Sequence, residues 1–402
     1  MRVAMVSWEY PPLVVGGISP HVEGLSRALV AAGHDVAVLT LHHRDAPADA
    51  VVDGVRVLRA GIELPWIPED NFLARMASAN HHIVQLRTKL MPWWPDLVHA
   101  HDWLVAWAGD TLRDLWGVPM VATVHATERG RNGGHVPPGQ PAAISAAEWW
   151  LTYQARQVIA CSQFMVDEVV DAFAVPRDKV SMVPNGVDAD VWAPPRSSHH
   201  DDGAAGEGNG AGNGGGDGAD GPLVVAWGRV VHEKGFQTLV DAAARLRSDV
   251  PGLRVVIAGR GPYLDELRQI AHRSGVDGTV SFAGFVPDAE LRALLHQARA
   301  VVIPSYYEPF GIVALEALAS GAPLVAARSG GLAEILDGND AALLFPAGDA
   351  TALADCLRRV LSDPGLAAKS QAAGDALVRG RYAWPAIAEQ TTAVYERTLR
   401  GY

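Results

Sequence analysis

Short β-branched, apolar runs alternate along the chain with longer segments whose apolar residues recur at helical spacing. In the first half the strand-like runs are Val3–Trp8, Asp35–Leu41, Val55–Ala60, Leu97–Ala100, Met120–Val124, Val158–Cys161 and Val180–Val183. In the second half they are Leu223–Trp227, Arg254–Ala258, Val280–Ala283, Ala300–Pro304, Pro323–Ala327 and Ala341–Phe345. Between them, Pro20–Ala32, Phe236–Leu246, Gly311–Ala319 and Ala350–Leu361 place apolar residues on one helical face. Gly33 follows the first helix in the position of a C-terminal cap. Asp53-Gly54, between Val51-Val52 and Val55, predicts one antiparallel hairpin. Apolar strands alternating with helices predict parallel sheets covered on both faces.

One stretch breaks the pattern. Residues 197–221 hold ten glycines and five acids, with no branched aliphatic or aromatic residue. Such a segment cannot bury enough apolar surface to offset chain entropy and is expected to be disordered. As a flexible coil of this length it would span about 27 Å. The predicted organisation is an N-terminal Rossmann-like domain over 1–190 and a Gly-rich acidic linker over 191–221. A second Rossmann-like domain follows over 222–383, and a C-terminal helix over 384–402 is expected to pack back on the first domain. Ligands of such α/β domains bind beyond the carboxyl ends of the strands.

Composition narrows the function. With 402 residues, 49% of them hydrophobic and 19% charged, the chain is long and apolar enough for globular cores without disulfide or metal staples. The formal charge of −12 argues against nucleic acid or anionic lipid as a partner. Two cysteines, Cys161 and Cys356, are too few for a secreted disulfide framework or a zinc module. The N-terminal apolar run is six residues long and is broken by Glu9 and two prolines, so it does not read as a signal peptide. No run approaches a membrane span. The expected location is the cytoplasm.

Three loops carry candidate chemistry. The first follows the first strand, where Gly16-Gly17 precede a helix and can bring backbone N–H groups to an anion. The dehydrogenase fingerprint G-x-G-x-x-G is absent, because Gly259-Arg-Gly261-Pro-Tyr-Leu264 lacks the third glycine. In the second loop, Arg229 and Lys234 lie just after Leu223–Trp227, and the chain has only four lysines against 29 arginines. A lysine in this place suits a compact ammonium on a diphosphate. In the third, Glu308 and Glu316 flank Phe310-Gly311 at the start of a helix. Gly311 and the N–H groups after it, beginning with Ile312, form an anion nest there.

These strings resemble the retaining GT-B glycosyltransferases of family four, in their glycogen-synthase-like branch. The matching segments are SWEYPPLVVGG, VHAHDW, TVHATE, VPNGVD, GRVVHEKG, IAGRGP, PSYYEPFGIVALEALASGAPLVA and SGGLAEI, in family order and over nearly the whole chain except 197–221. The resemblance implies an α/β GT-B fold, two Rossmann-like domains with parallel sheets facing a deep cleft. It implies that Arg229 and Lys234 hold the donor diphosphate, that Glu316 accepts the ribose hydroxyls and that Glu308 accepts those of the donor sugar. Gly16, Gly17, Gly259, Gly261, Phe310, Gly311 and Ile312 would complete the donor site. His125 would face the reacting sugar, and Asp102 would sit on the acceptor side. No residue stands out as a nucleophile on the far face, so the resemblance favours front-face retention. The long spacer departs from the family's usual short connection.

Other signals point elsewhere. Asp188-Ala-Asp190 has a metal-binding D-x-D form but lies at the exit from the first half, and no metal role is expected. His99 and His101 are expected to point to opposite faces of a strand and to chelate poorly. His42-His43, His81-His82 and His199-His200 read as surface pairs. Most of the tryptophans in the first half read as core, with the remainder available to stack on acceptor sugars. The expected function is metal-independent, cofactor-free retaining transfer of glucose from ADP- or UDP-glucose to an α-glucan or oligosaccharide. Alternatives are a lipid, inositol or small-sugar acceptor on the same machinery, a nucleotide-sugar epimerase or hydrolase, and a silent nucleotide-sugar-binding module. Homo-oligomerisation is left open.

Overall fold

A computed structural model describes residues 1–61, 68, 70–195 and 221–400. Apart from Gly221, the Gly-rich stretch expected to be disordered lies outside the described residues. The chain divides into two compact units. The first contains Met1–Val187, Pro309–Ile312 and Arg381–Tyr402; the second contains Asp188–Glu308 and Val313–Gly380.

The first unit is built on eight strands: β1 (Arg2–Ser7), β2 (Asp35–Leu41), β3 (Asp49–Val52), β4 (Val55–Ala60), β5 (Leu97–His101), β6 (Met120–Val124), β7 (Gln157–Ala160) and β8 (Val180–Met182). Their order in the sheet is β3-β4-β2-β1-β5-β6-β7-β8. The strands from β4 to β8 run parallel, and β1, β5 and β6 are buried nearly throughout, as strands covered on both faces must be. Only β3 is antiparallel, pairing Val52 with Val55 across Asp53-Gly54. Both turn residues have positive φ, 50° and 82°, the geometry that suits a right-twisted two-residue hairpin.

The second unit has six strands: β9 (Leu223–Trp227), β10 (Arg254–Ala258), β11 (Val280–Gly284), β12 (Ala300–Ile303), β13 (Leu324–Arg328) and β14 (Ala342–Pro346). All are parallel, in the order β11-β10-β9-β12-β13-β14. The order reverses beside β9 and β12, which makes their carboxyl ends the switch point of the sheet. Helices Phe236–Leu246 and Ala350–Ser362 present Leu239, Val240, Leu246, Leu353, Leu357 and Val360 to the core on one face of this sheet.

The last helix, Trp384–Leu399, belongs to the first unit. Its Ile387, Ala388, Val394 and Tyr395 join Val22, Leu25 and Leu29 of helix Ile18–Ala31 in one core cluster. Glycines let the Trp384 ring in. A Cβ on Gly24 would sit 2.1 Å from its Cε2, and a Cβ on Gly186 would sit 2.6 Å from its Cε3. Gly24 has an ordinary helical backbone, so its substitution tests this fit alone. Gly24→Ala should lower Tm by roughly 3–10 °C, the effect of an overpacking strain of about 1–3 kcal/mol in a unit of this size. Adding Trp384→Leu should recover part of that loss, and strictly additive effects in calorimetry would contradict the packing account.

Candidate active site

In the second unit three loops meet at the switch point. The loop after β9 runs from Gly228 to Gly235, that after β10 contains Gly259 and Gly261, and that after β12 runs from Pro304 to Glu308. Their backbones are stitched together. Gly228 N–H donates to Ala258 O at 3.0 Å, Val230 N–H to Arg260 O at 2.8 Å, and Tyr306 N–H to Glu233 O at 2.8 Å. The approach is so close that side chains are excluded. A Cβ on Gly259 would lie 1.8 Å from Gly228 O, one on Gly261 2.1 Å from Val230 O, and one on Gly235 2.0 Å from Pro304 O. Gly235 also has φ +68°, which a side chain would strain. Gly259 and Gly261, expected as donor contacts, thus brace the segment that carries Arg229.

This bracing brings Lys234 to Glu308. The ammonium donates to Glu308 Oε2 at 2.6 Å, and the Ser305 hydroxyl donates to the same oxygen at 3.3 Å. Glu308 is buried, and Lys234 is about one quarter exposed. The sequence reading gave these residues separate partners on a ligand; the fold joins them to each other. A lysine has three N–H donors, so one bond to Glu308 leaves two for an anion. Lys234 lines a small pocket there together with Trp227, Gly228, Phe236, Val302, Ser305 and Val313. Arg229 extends into solvent, 59% exposed, with Glu233 at 3.8 Å.

Phe310 is buried and Gly311 has φ +109°, immediately before helix Ile312–Ala319. Glu316 lies in that helix. Burial, and secondarily the nearby Asp288 carboxylate, push its pKa up to about 7, while the Trp227 indole pulls it down.

In the first unit, the loop after β1 is organised by Glu9. Its Oε2 accepts the N–H of Val15 and that of Gly16, the latter at 3.1 Å. The Gly16 N–H, expected to face an anion, is therefore held by the chain's own carboxylate. Gly17 is the N-cap of helix Ile18–Ala31, with φ −72°. Asp102, at the end of β5, adopts φ +67°, rare for a residue with a side chain, while its carboxylate accepts the Trp103 N–H at 2.8 Å. Burial raises its pKa, opposed by Arg131 and by that N–H. Strained backbone of this kind clusters at functional sites.

Beside Asp102 the imidazoles of His21, His99, His101 and His125 gather. The expectation for His99 and His101 is corrected here: their ring centroids are 4.1 Å apart, because residues i and i+2 of a strand share a face. His99 is committed at both nitrogens, to Tyr395 OH and to Thr123 Oγ1, each at 2.7 Å. Burial pushes its pKa down to about 3 and that of His21 to about 4, and holds His101 and His125 well below the usual range. All four are neutral at pH 7. Among the set-aside signals, Asp188 caps helix Ala189–Trp192 and Asp190 pairs with Arg379 at 2.9 Å, so both carboxylates have structural work.

With this geometry in place, comparison with known proteins becomes informative. The Glycosyltransferase Family 4 family matches residues 15–191, and Glycosyl transferases group 1 matches residues 216–376. A glycogen synthase of Mycobacterium tuberculosis is 37% identical, over 100% of this chain and 96% of its own. The chain belongs to the GT-B glycosyltransferases of family 4. A D-inositol 3-phosphate glycosyltransferase of Acidothermus cellulolyticus is 30% identical over 99% of this chain and 90% of its own. The structure of sucrose-phosphate synthase from Thermosynechococcus elongatus superposes with a TM-score of 0.79 at 25% identity, covering 100% of both chains. No described helix of the transferase is long and apolar enough to cross a membrane.

Some residues at the first unit's carboxyl edge escaped the sequence reading. Glu9 entered it only as the end of an apolar run, and His21 and Glu148 did not enter at all. Glu148 is buried on helix Gln140–Gln154 and accepts the Glu128 N–H at 2.8 and 3.1 Å. Burial first, then the Asp102 charge, raises its pKa to about 9. A carboxyl raised in the folded state contributes its stability below the unfolded value, near 4.5, and loses it as pH climbs towards 9. Glu148→Gln should therefore gain several °C in Tm over wild type at pH 8.5 and little or nothing at pH 5.5. Equal shifts at both pH values would show that Glu148 is ionised throughout.

Proposed function

We propose that the transferase moves glucose with retention from ADP- or UDP-glucose to an α-glucan, without a metal. The observation that carries the donor side is the Lys234–Glu308 pair at the switch point of the second sheet, with Arg229 on the same loop as Lys234. A cationic ammonium held by a buried carboxylate, with an exposed guanidinium on the same loop, suits two negatively charged phosphates. As the glycosidic bond to the leaving diphosphate breaks, negative charge grows on the departing oxygen, and these cations stabilise it most at that moment. Glu308 then does two things: it positions Lys234, and with its remaining acceptor capacity it takes a sugar hydroxyl. Phe310, Gly311 and Ile312 offer backbone at the sugar and phosphates, and Glu316 takes the ribose hydroxyls. His125 faces the reacting sugar, Asp102 supplies the acceptor side, and Gly17, at the helix N-terminus, serves the donor. The M. tuberculosis glycogen synthase, matched over the full chain, favours glucan as acceptor. The inositol-phosphate transferase relative supports a second reading with a phosphorylated small acceptor.

Labelled ADP-, UDP- and GDP-glucose, each offered with glycogen and with inositol phosphate, separate these readings. Glucan growth with α-linkages is expected. Product on inositol phosphate alone would establish the second reading, and free glucose or epimerised donor would overturn both. EDTA should leave turnover within about twofold, and a loss restored by Mg²⁺ would contradict metal independence.

Arg229→Ala and Lys234→Ala should each lower kcat by at least about 100-fold, the usual effect of removing a preorganised charge from a transition state. Near-normal kcat in both would place the diphosphate elsewhere. Glu316 gives a pH signature. Its carboxyl is half protonated near pH 7 in the free enzyme, and the carboxylate is the stronger acceptor of ribose hydroxyls. Donor KM should therefore fall as pH rises from 6 to 8, and in Glu316→Gln it should be higher and flat over that range. A variant with wild-type KM and an unchanged pH slope would remove Glu316 from the donor site.

A further inference from the structure

The cluster of buried imidazoles in the first unit has more ring nitrogens than the protein's own hydrogen bonds use. His21 comes from the first turns of helix Ile18–Ala31, His101 from the end of β5 and His125 from the residue after β6. One ring nitrogen from each lies within 4.8 Å of the others. His101 Nδ1 and His125 Nε2 are 3.5 Å apart. The ring centroids of His21 are 4.8 Å from His125 and 5.5 Å from His101. Neither nitrogen of His21 and not the Nε2 of His101 has a hydrogen-bond partner of good geometry, although both residues are buried. Buried polar atoms left in this way are costly and call for an explanation.

We propose that His21, His101 and His125 form a three-imidazole site for a borderline divalent transition metal, of which Zn²⁺ is the type ion. Tetrahedral Zn²⁺ with bonds of about 2.0–2.1 Å sets ligand nitrogens about 3.4 Å apart. His101 Nδ1 and His125 Nε2, which share one proton in a hydrogen bond of 3.5 Å, are already at that spacing. Both can ligate once that proton moves to the other nitrogen of its ring, and His21 brings a nitrogen within 4.8 Å of them. Asn185 Oδ1, itself unsatisfied, lies beside His21 and can accept the N–H of the nitrogen turned away from the ion. His99 stays outside the site, with both nitrogens committed. The opposing charge is Arg131, whose field reaches His125, and Asp102 is the carboxylate that offsets it. His125 is half-buried while the other two are closed off, so the ion enters past His125 and the fourth position faces the same way. Bound metal would fix His125 and inhibit transfer. That inhibition rests on the proposed role of His125, whereas the binding does not.

The test uses the untagged full-length chain. Co²⁺ titration should give the intense visible bands of a tetrahedral centre at one equivalent, discharged by one equivalent of Zn²⁺. His21→Gln and His125→Gln should each abolish those bands or weaken Co²⁺ affinity at least tenfold. His81→Gln/His82→Gln, which removes a surface pair, should leave them intact. Circular dichroism excludes misfolding of His21→Gln, and the more exposed His125→Gln keeps the test open if His21→Gln fails to fold. Absence of a one-equivalent tetrahedral spectrum, or its persistence in His21→Gln and His125→Gln, would overturn the site. In wild type, Zn²⁺ should inhibit glucosyl transfer with the midpoint of the Co²⁺ competition, reversibly with EDTA. Full activity with the site loaded would overturn the inhibitory role while the spectrum stands.

Discussion

A buried carboxylate and a quarter-exposed ammonium 2.6 Å apart tie together two strand ends of the second unit, and the geometry of the candidate site there depends on that bond. Leaving either charge without the other would be costly, so the pair forces the loop after β9 and the loop after β12 into one arrangement. The glycines make this possible. Gly235, Gly259 and Gly261 allow three backbones to approach to distances at which a single methyl group would collide with a carbonyl. The ion pair and the glycines are thus two parts of one constraint: the backbone must come close for the charges to meet, and the charges hold the backbone there.

The first unit solves a different problem. Its carboxyl edge gathers groups whose ordinary charges burial suppresses. Glu148 is held protonated and the four histidines are held neutral. Burial thus leaves polar hydrogen-bonding groups at this edge, beside the Arg131 guanidinium and the Asp102 carboxylate. Trp384, seated against Gly24 and Gly186 and edge-on to His21 at 5.7 Å, closes the back of this imidazole cluster.

Much of this was legible in the chain. The unbroken apolar runs Val3–Trp8 and Leu223–Trp227 and the period of 3.6 in Phe236–Leu246 are local properties, and each returned an element with ends within two residues of those expected. The hairpin at Asp53-Gly54 was equally local, because the positive φ at both residues is a demand that the dipeptide itself meets. Arg229, Lys234, Glu308 and Glu316 could be singled out because they follow strands. What each touches could not be read. Lys234 and Glu308 stand 74 positions apart, and no periodic signal in the chain would pair them. Glu9 looked like a terminator because its function is to accept two N–H groups six and seven residues later in a loop without repeat.

The sequence by itself determined the alternation of strands and helices, hence the parallel sheets, and through its motifs the family and the strand ends at which chemistry sits. These follow from propensity and burial, which act over a few residues. Tertiary structure alone decided which charges are spent on each other, which glycines are needed for close approach, and which titratable groups lose their charge. Those outcomes depend on distances between residues far apart in the chain and on the solvent excluded around them. His21, His101 and His125 show the difference: 104 positions separate the first from the last, and only the folding of a helix against two strand ends makes them neighbours.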